Sequence, residues 1–276
     1  MSRTPEDGEE VAAFYARGLE RDRLSRGAGA LEFARTTQLL ERYLPAPSSE
    51  VIDVGGGPGR YAIWLANRGY RVHLVDAVPL HVEQAQEAFA TAARSGQADA
   101  RVGDARTLPF ADESADAVLL LGPLYHLSDR ADRVGTLAEA GRVCKPGGVV
   151  IAAAISRFAS SLDGLRAGYL TDPIFAGIVA NDLREGRHRN PTGHPAYFTS
   201  AYFHRPEELA AECASAGLAH EETVAVEGIA WLLPDLDDWL ADPVRKDVLL
   251  RALSLLEAEP TLMGASAHLL CVARRR

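Results

Sequence analysis

Cysteine, methionine and aromatic residues are scarce in this chain, and positive charge is outweighed. Its 276 residues include three cysteines, two methionines and 7% aromatics, and the net charge is −9. Cys144, Cys213 and Cys271 are odd in number and far apart, so they read as reduced thiols rather than a disulfide framework. None has zinc-ligand spacing. No apolar run reaches the roughly 18 residues of a membrane span, and the opening MSRTPEDGEE is acidic and polar, unlike a secretory signal. A cytoplasmic protein away from membranes is the expectation. The negative charge argues against a general nucleic-acid binder, whose affinity comes mostly from Lys and Arg, and Arg274-Arg275-Arg276 is short enough to be a solvated tail. No internal repeat is evident. What remains is 47% hydrophobic and 24% charged, ordinary for a soluble globular protein with one sizeable core.

The order of apolar runs carries more. Residues 9–24 and 27–44 have helical spacing, with Val11, Phe14, Tyr15, Leu31, Phe33, Leu39, Leu40 and Tyr43 as apolar positions. From residue 50 the pattern becomes strand, turn, helix. Strands are predicted at 50–54, 71–75, 99–103, 116–121 and 148–155, with helices at 58–68, 79–94 and 129–143 between them. Pro58 suits a first helical turn and Gly69 a helix end. Short apolar strands alternating with helices imply parallel pairing by right-handed crossovers. The stretch 157–205, rich in His, Asn, Pro and aromatics, breaks the rhythm and reads as an insertion. A helix at 206–216, a strand near 218–227, helices within 235–258 and a last strand near 266–273 follow.

Residues 51–59, VIDVGGGPG, form a glycine-rich turn after the first strand, where ligands of doubly wound sheets bind. The dinucleotide fingerprint G-x-G-x-x-G fails, because its third position is Arg60. Asp53 just before the turn has the wrong sign for a pyrophosphate and suits a cationic ligand. An NAD-dependent oxidoreductase is therefore the weaker alternative.

In D53-V-G55-G-G57-P-G59, in Asp76 closing HLVD, in G103-D-A-R-T-L-P-F110, in Asp116 opening the fourth strand and in R142-V-C-K-P-G-G148, the chain resembles the class I S-adenosylmethionine-dependent methyltransferases of small-molecule type. The likeness is close over roughly 48–156. It implies an α/β, doubly wound, Rossmann-like fold. The mostly parallel sheet has about seven strands and an antiparallel edge. An N-terminal helical cap (1–47), an S-adenosylmethionine-binding core (48–156), an inserted substrate lid (157–205) and a C-terminal part of the core (206–276) follow in order. It also implies S-adenosylmethionine as cofactor. Asp53 would offset the ammonium, the turn with Gly55, Gly57 and Gly59 would lie against the ligand, and Asp76 with the adjoining Ala77 would hold the ribose. Asp104 and Ala105 would meet adenine, and Leu121 would pass near the methionine end. Tyr15, Arg26 and Arg35 would close over the donor from the N-terminal helices, with core packing or solvation as the alternative. Glu20, Arg21 and Arg23 read as ordinary surface charges.

Methyl transfer needs alignment first and a base only when the acceptor must lose a proton. In L121-G-P-L-Y-H-L127, His126 is the first candidate base, with helix capping or a bond to a carbonyl as its alternative, and Tyr125 would line the pocket or orient the donor. The insertion supplies His188, His194, Tyr197, Tyr202 and His204 as acceptor-side residues. The spacing of its histidines, with no acidic partner near, does not suggest a metal. The implied partner is a small-molecule acceptor, methylated on O, N or C, and a homodimer is left open. A non-catalytic binding subunit that keeps the pocket is the other alternative.

Overall fold

The computed structural model describes residues 5–92 and 96–276. The first four residues of the expected cap and the last two of the helix expected at 79–94 lie outside the described residues. Strands β1 (Glu50–Val54), β2 (Arg71–Asp76), β3 (Ala98–Val102), β4 (Ala115–Leu120) and β5 (Cys144–Ser156) pair in parallel in the order β3-β2-β1-β4-β5. A short hairpin, β6 (Arg187–His188) and β7 (Ala201–His204), comes from the insertion. β8 (Leu218–Ala225) and β9 (His268–Arg275) complete the far side, with β9 lying antiparallel between β5 and β8. That is the expected antiparallel edge.

Alternate residues of the parallel strands feed opposite cores. Val51, Leu119 and Ile151 pack against Leu39, Leu40, Leu65 and Phe89 on one face. Ile52, Val118 and Val150 pack against Leu137, Ala140 and Leu209 on the other. Burial on both faces explains why these strands read as unbroken apolar runs, and each buried aliphatic side chain adds roughly 1.5–3 kcal/mol of transfer free energy.

Three departures from expectation matter for the site. The helix expected over 9–24 is two pieces, Pro5–Tyr15 and a 3-10 turn at Leu19–Ser25, because Gly18 sits at φ 71° and ends the first. β5 begins at Cys144 rather than 148. The K145-P-G-G148 turn is a bulge inside it, with Ala115 opposite Cys144 and Ala117 already opposite Val149. The insertion is folded into the sheet: Phe203 and His204 of β7 pair in parallel with Ile155 and Ser156 at the end of β5. It has its own small core of Phe175, Ile178, Val179 and Tyr197. Among the described residues no helix is long and apolar enough to cross a membrane.

Candidate functional site

Two adjoining cavities open at the carboxyl ends of the parallel strands. The first, of about 180 Å3, is lined by the turn after β1, the end of β2, the loop after β3 and residues 121–127. Gly55 holds φ 69° there, and a Cβ on it would lie 2.8 Å from the Pro123 ring, so only glycine lets the two loops approach. Asp76 organises the floor. One carboxylate oxygen accepts from the Gly57 N–H at 2.9 Å and the other from the Val78 N–H at 2.8 Å. The oxygen on the Gly57 N–H still has a lone pair for a ligand hydroxyl. His81 stands beside it, Nδ1 3.3 Å from Asp76, and its Nε2 is buried with no hydrogen-bond partner among the described residues. Ala77, Ala105 and Leu121 also line this cavity. Asp104 does too, but its carboxylate is held by the Arg106 guanidinium at 2.6 Å.

The second cavity, of about 610 Å3, is walled by Phe14, Phe175, Tyr197, Phe198, Phe203 and Trp231, with His188, Arg26 and His268 among its polar members. Tyr15, Glu20, Arg23 and Tyr125 line both cavities and mark their junction. Glu20 and Arg23, expected as surface charges, are therefore junction residues, and Arg21 lines the first cavity. They lie on the 3-10 turn that replaces the end of the expected helix. Arg23 bonds Glu20 at 2.7 Å and grips Glu32 with two nitrogens.

The Tyr15 hydroxyl and His126 Nε2 are 2.7 Å apart, and His126 Nδ1 faces the Ser200 carbonyl at 3.4 Å. A ring that donates from Nδ1 accepts the Tyr15 proton at Nε2. Burial pushes the Tyr15 phenol well above its ordinary range, so it remains a donor. Across the second cavity, His268 Nδ1 lies 2.6 Å from a Glu227 oxygen, and Glu32 stands 3.8 Å from the same nitrogen. Desolvation opposes charge on His268, but Glu32, Glu227 and the Glu227 hydrogen bond outweigh it and lift its pKa to about 9. His81, Glu32, Glu227 and His268 were not singled out in the sequence. Glu227 and His268 lie at strand ends, whereas Glu32 and His81 lie on the helices Gly27–Tyr43 and Pro79–Thr91, with nothing in the local sequence to mark them. Glu32, Glu227 and His268 also bring ligand atoms within 4.8 Å of one another, as a metal site would, yet the Arg23 guanidinium already sits on Glu32.

Several sequence expectations need correction. Asp53 does not line either cavity. It is fully buried beneath the turn, an oxygen 2.6 Å from where a Gly56 Cβ would be, and both oxygens lack partners among the described residues. Burial first, then Asp76, raise its pKa to about 7. Gly59 packs against Phe89 and Ala85 rather than the cavity. Arg35 is fully buried, bonded to the Val226 carbonyl at 3.0 Å and to Glu257, and is structural. Arg26 lines the second cavity, not the first.

Within the insertion, His188 and Tyr197 line the second cavity, while His194, Tyr202 and His204 do not. His194 caps the turn at 195–197. Tyr202 lies under the Arg133 guanidinium at 3.6 Å. His204 is fully buried, 3.3 Å from Glu212, and desolvation lowers its pKa. His188 is itself fixed between Asp182 at 2.8 Å and the Tyr197 carbonyl at 2.7 Å, so it contributes a wall rather than a free nitrogen.

Residues 51–148 match the family described as methyltransferase domain. The O-methyltransferase resE of Aspergillus sclerotiorum is 30% identical over 113 residues, 41% of this chain and 42% of its own length. Methyltransferase GfsG of Streptomyces halstedii is 33% identical over 114 residues, 41% of this chain and 40% of its own. The chain thus spans about two fifths of the length of these curated relatives. A SAM-dependent methyltransferase structure from Methanosarcina mazei superposes with TM-score 0.58 at 21% identity, covering 86% of this chain and 96% of that one, which is a likeness of fold.

Proposed function

The chain belongs, through residues 51–148, to the class I S-adenosylmethionine-dependent methyltransferase family, and from that premise we propose that it methylates an O, N or C atom of a small molecule held in the second cavity. The residues of the first cavity fit the cofactor. Asp76 and the unpartnered His81 Nε2 offer hydrogen bonds to ribose hydroxyls, the Gly55–Gly57 backbone leaves room for the amino-acid part, and Ala105 and Leu121 border the nucleoside. When bound, the cofactor supplies a methyl group already activated by the sulfonium charge.

The observation that carries the reading is the junction. Tyr15, Glu20, Arg23 and Tyr125 face both cavities, so two ligands would meet there with water excluded. This chain's work is then alignment, which supplies much of the rate in such displacements. Tyr15 and His126, hydrogen-bonded across the mouth, tie the N-terminal helix over the first cavity. Calorimetric titration with S-adenosylhomocysteine and with NADH separates this reading from an oxidoreductase: tight NADH binding without response to the homocysteine compound would overturn it. A binding subunit that kept the pocket would take S-adenosylhomocysteine yet never consume donor with any acceptor in a mass-increase screen.

A further inference from the structure

We propose that the acceptor carries a carboxylate, held in the second cavity by the Arg26 guanidinium and the His268 Nε2–H, while its other end reaches the junction. The inference rests on the methyl-transfer reading above and narrows it to an acceptor class.

The charges that line the second cavity are paired, with one exception. Glu20 bonds Arg23 at 2.7 Å, Asp163 bonds Arg166 at 2.6 Å, and His188 is fixed to Asp182. Arg26 lines the same cavity, just before the helix Gly27–Tyr43, and its guanidinium makes no hydrogen bond or ion pair among the described residues. A guanidinium keeps its charge at any ordinary pH and presents a planar fork that matches the two oxygens of a carboxylate.

A second donor faces the same space. β9 runs antiparallel to β5, so its first residue, His268, starts at the ligand edge, opposite Ile155. Three charged groups face its ring from three elements: Glu227 after β8, Glu32 on the helix Gly27–Tyr43, and Arg23 on the 3-10 turn. Desolvation and Arg23 oppose charge on the ring, but the two carboxylates outweigh them and keep it protonated up to about pH 9. An imidazolium donates from both nitrogens. Nδ1–H is committed to Glu227 at 2.6 Å, whereas Nε2 makes no hydrogen bond among the described residues. The side chain is 21% exposed, and the ring lines the second cavity. The carboxylates beneath it are already answered. Glu227 also accepts from the His268 N–H and the Ser266 hydroxyl, both at 2.9 Å, and Glu32 is gripped by two Arg23 nitrogens. Among the described lining residues the cavity thus offers two cationic donors and no unpaired acid.

The remaining wall sets the body of the acceptor. Tyr197 gives its hydroxyl to Asp172 at 2.8 Å and Trp231 its N–H to the Ala265 carbonyl at 2.9 Å, so both polar atoms are engaged and ring surface remains. With Phe14, Phe175, Phe198 and Phe203 these rings suit a flat apolar body. A carboxylate enters such surroundings only where charged hydrogen bonds replace its water. Arg26 and His268 line the second cavity alone, whereas the junction is formed by Tyr15, Glu20, Arg23 and Tyr125. The carboxylate is therefore an anchor, and the atom that receives the methyl lies elsewhere on the acceptor.

The test uses the full chain saturated with S-adenosylhomocysteine, titrated calorimetrically with 2-naphthoate and with its uncharged amide, 2-naphthamide. Naphthoate is expected to bind about 10-fold more tightly or better. Arg26→Gln, at an exposed position, is expected to remove most of that preference while S-adenosylhomocysteine binding stays unchanged. His268→Gln, which keeps a donor for Glu227 but no charge, is expected to weaken naphthoate as well. In the wild-type chain naphthoate affinity should fall as pH rises through about 9, where His268 loses its proton, and this dependence should vanish in His268→Gln. The inference is overturned if the amide binds as tightly as naphthoate, if neither binds, or if naphthoate affinity is unchanged in either variant. Failure to bind S-adenosylhomocysteine would instead sink the reading beneath it.

Discussion

The two cavities meet at four side chains, yet they are built by different means. The first is made largely of backbone: the turn after β1, the loop before Pro123 and the N–H groups that Asp76 receives. Most of its lining comes from one run of chain between residues 54 and 127. The second is made of side chains drawn from the N-terminal helix and turn, the end of β5, the insertion and the segment around β9. A backbone site tolerates few changes at its glycines, because no side chain can replace the missing Cβ. A side-chain site can change its specificity one residue at a time while the sheet stays intact.

The largest effect is therefore expected at Gly55. Gly55→Val places a branched side chain at φ 69° and drives its Cβ toward the Pro123 ring, which lies 2.8 Å away. Strain at such a position costs about 1–3 kcal/mol before any clash is counted. S-adenosylhomocysteine binding should fall by roughly 100-fold or more, while circular dichroism shows the fold retained. Undiminished binding would mean that the turn does not form the floor.

Asp53 sharpens the same contrast from below. Its folded pKa of about 7 lies above the unfolded value of about 3.9. The folded state therefore keeps a proton that the unfolded state releases, and stability falls as pH rises between these values and levels off above pH 7. The wild-type chain should lose roughly 2–4 kcal/mol from this group between pH 4 and pH 8. Asp53→Asn should remove that part of the slope. His268 titrates in the same scan: its raised pKa contributes stability that is full below about pH 6.5 and lost through about pH 9. The comparison is therefore of the two slopes, measured by urea denaturation at matched pH. Identical slopes would show that Asp53 is ionised in its buried place.

How much of this was legible follows from the same difference. The parallel strands, the crossovers and the glycine turn were readable because apolar runs and a contiguous motif encode them locally. Asp76 and the loop at 121–127 followed from their spacing to that turn. His268 was not readable: in H268-LLCV it looks like any residue opening a buried strand. Its place at the second cavity depends on β9 running antiparallel and on Glu227 and Glu32 arriving from far away in the chain. Composition misled in the insertion, where histidines stand out. His204 there serves a buried ion network with Glu212 and Arg133, and His194 caps a turn. Arg23 misled in the opposite direction, because Gly18 turns what looked like a solvated helix face inward.

Asp76→Ala tests the backbone-made cavity at its one essential side chain. It removes the acceptor for the Gly57 and Val78 N–H groups as well as any ligand hydroxyl. Affinity for S-adenosylhomocysteine should weaken by on the order of 1–3 kcal/mol, and unchanged affinity would refute a ribose role for this residue.

The smallest effect is expected where the two cavities join. Tyr15→Phe keeps the ring, and with it the edge contacts to His81 and His126, and deletes only the hydroxyl that lies 2.7 Å from His126 Nε2. A single hydrogen bond of this kind contributes about 0.5–1.5 kcal/mol. If the bond serves mainly to hold the N-terminal helix over the first cavity, S-adenosylhomocysteine should dissociate a few-fold faster in stopped-flow measurements, and amide exchange in the helix Pro5–Tyr15 should quicken. Unchanged dissociation and unchanged exchange in Tyr15→Phe would mean that this bond does not hold the helix over the first cavity.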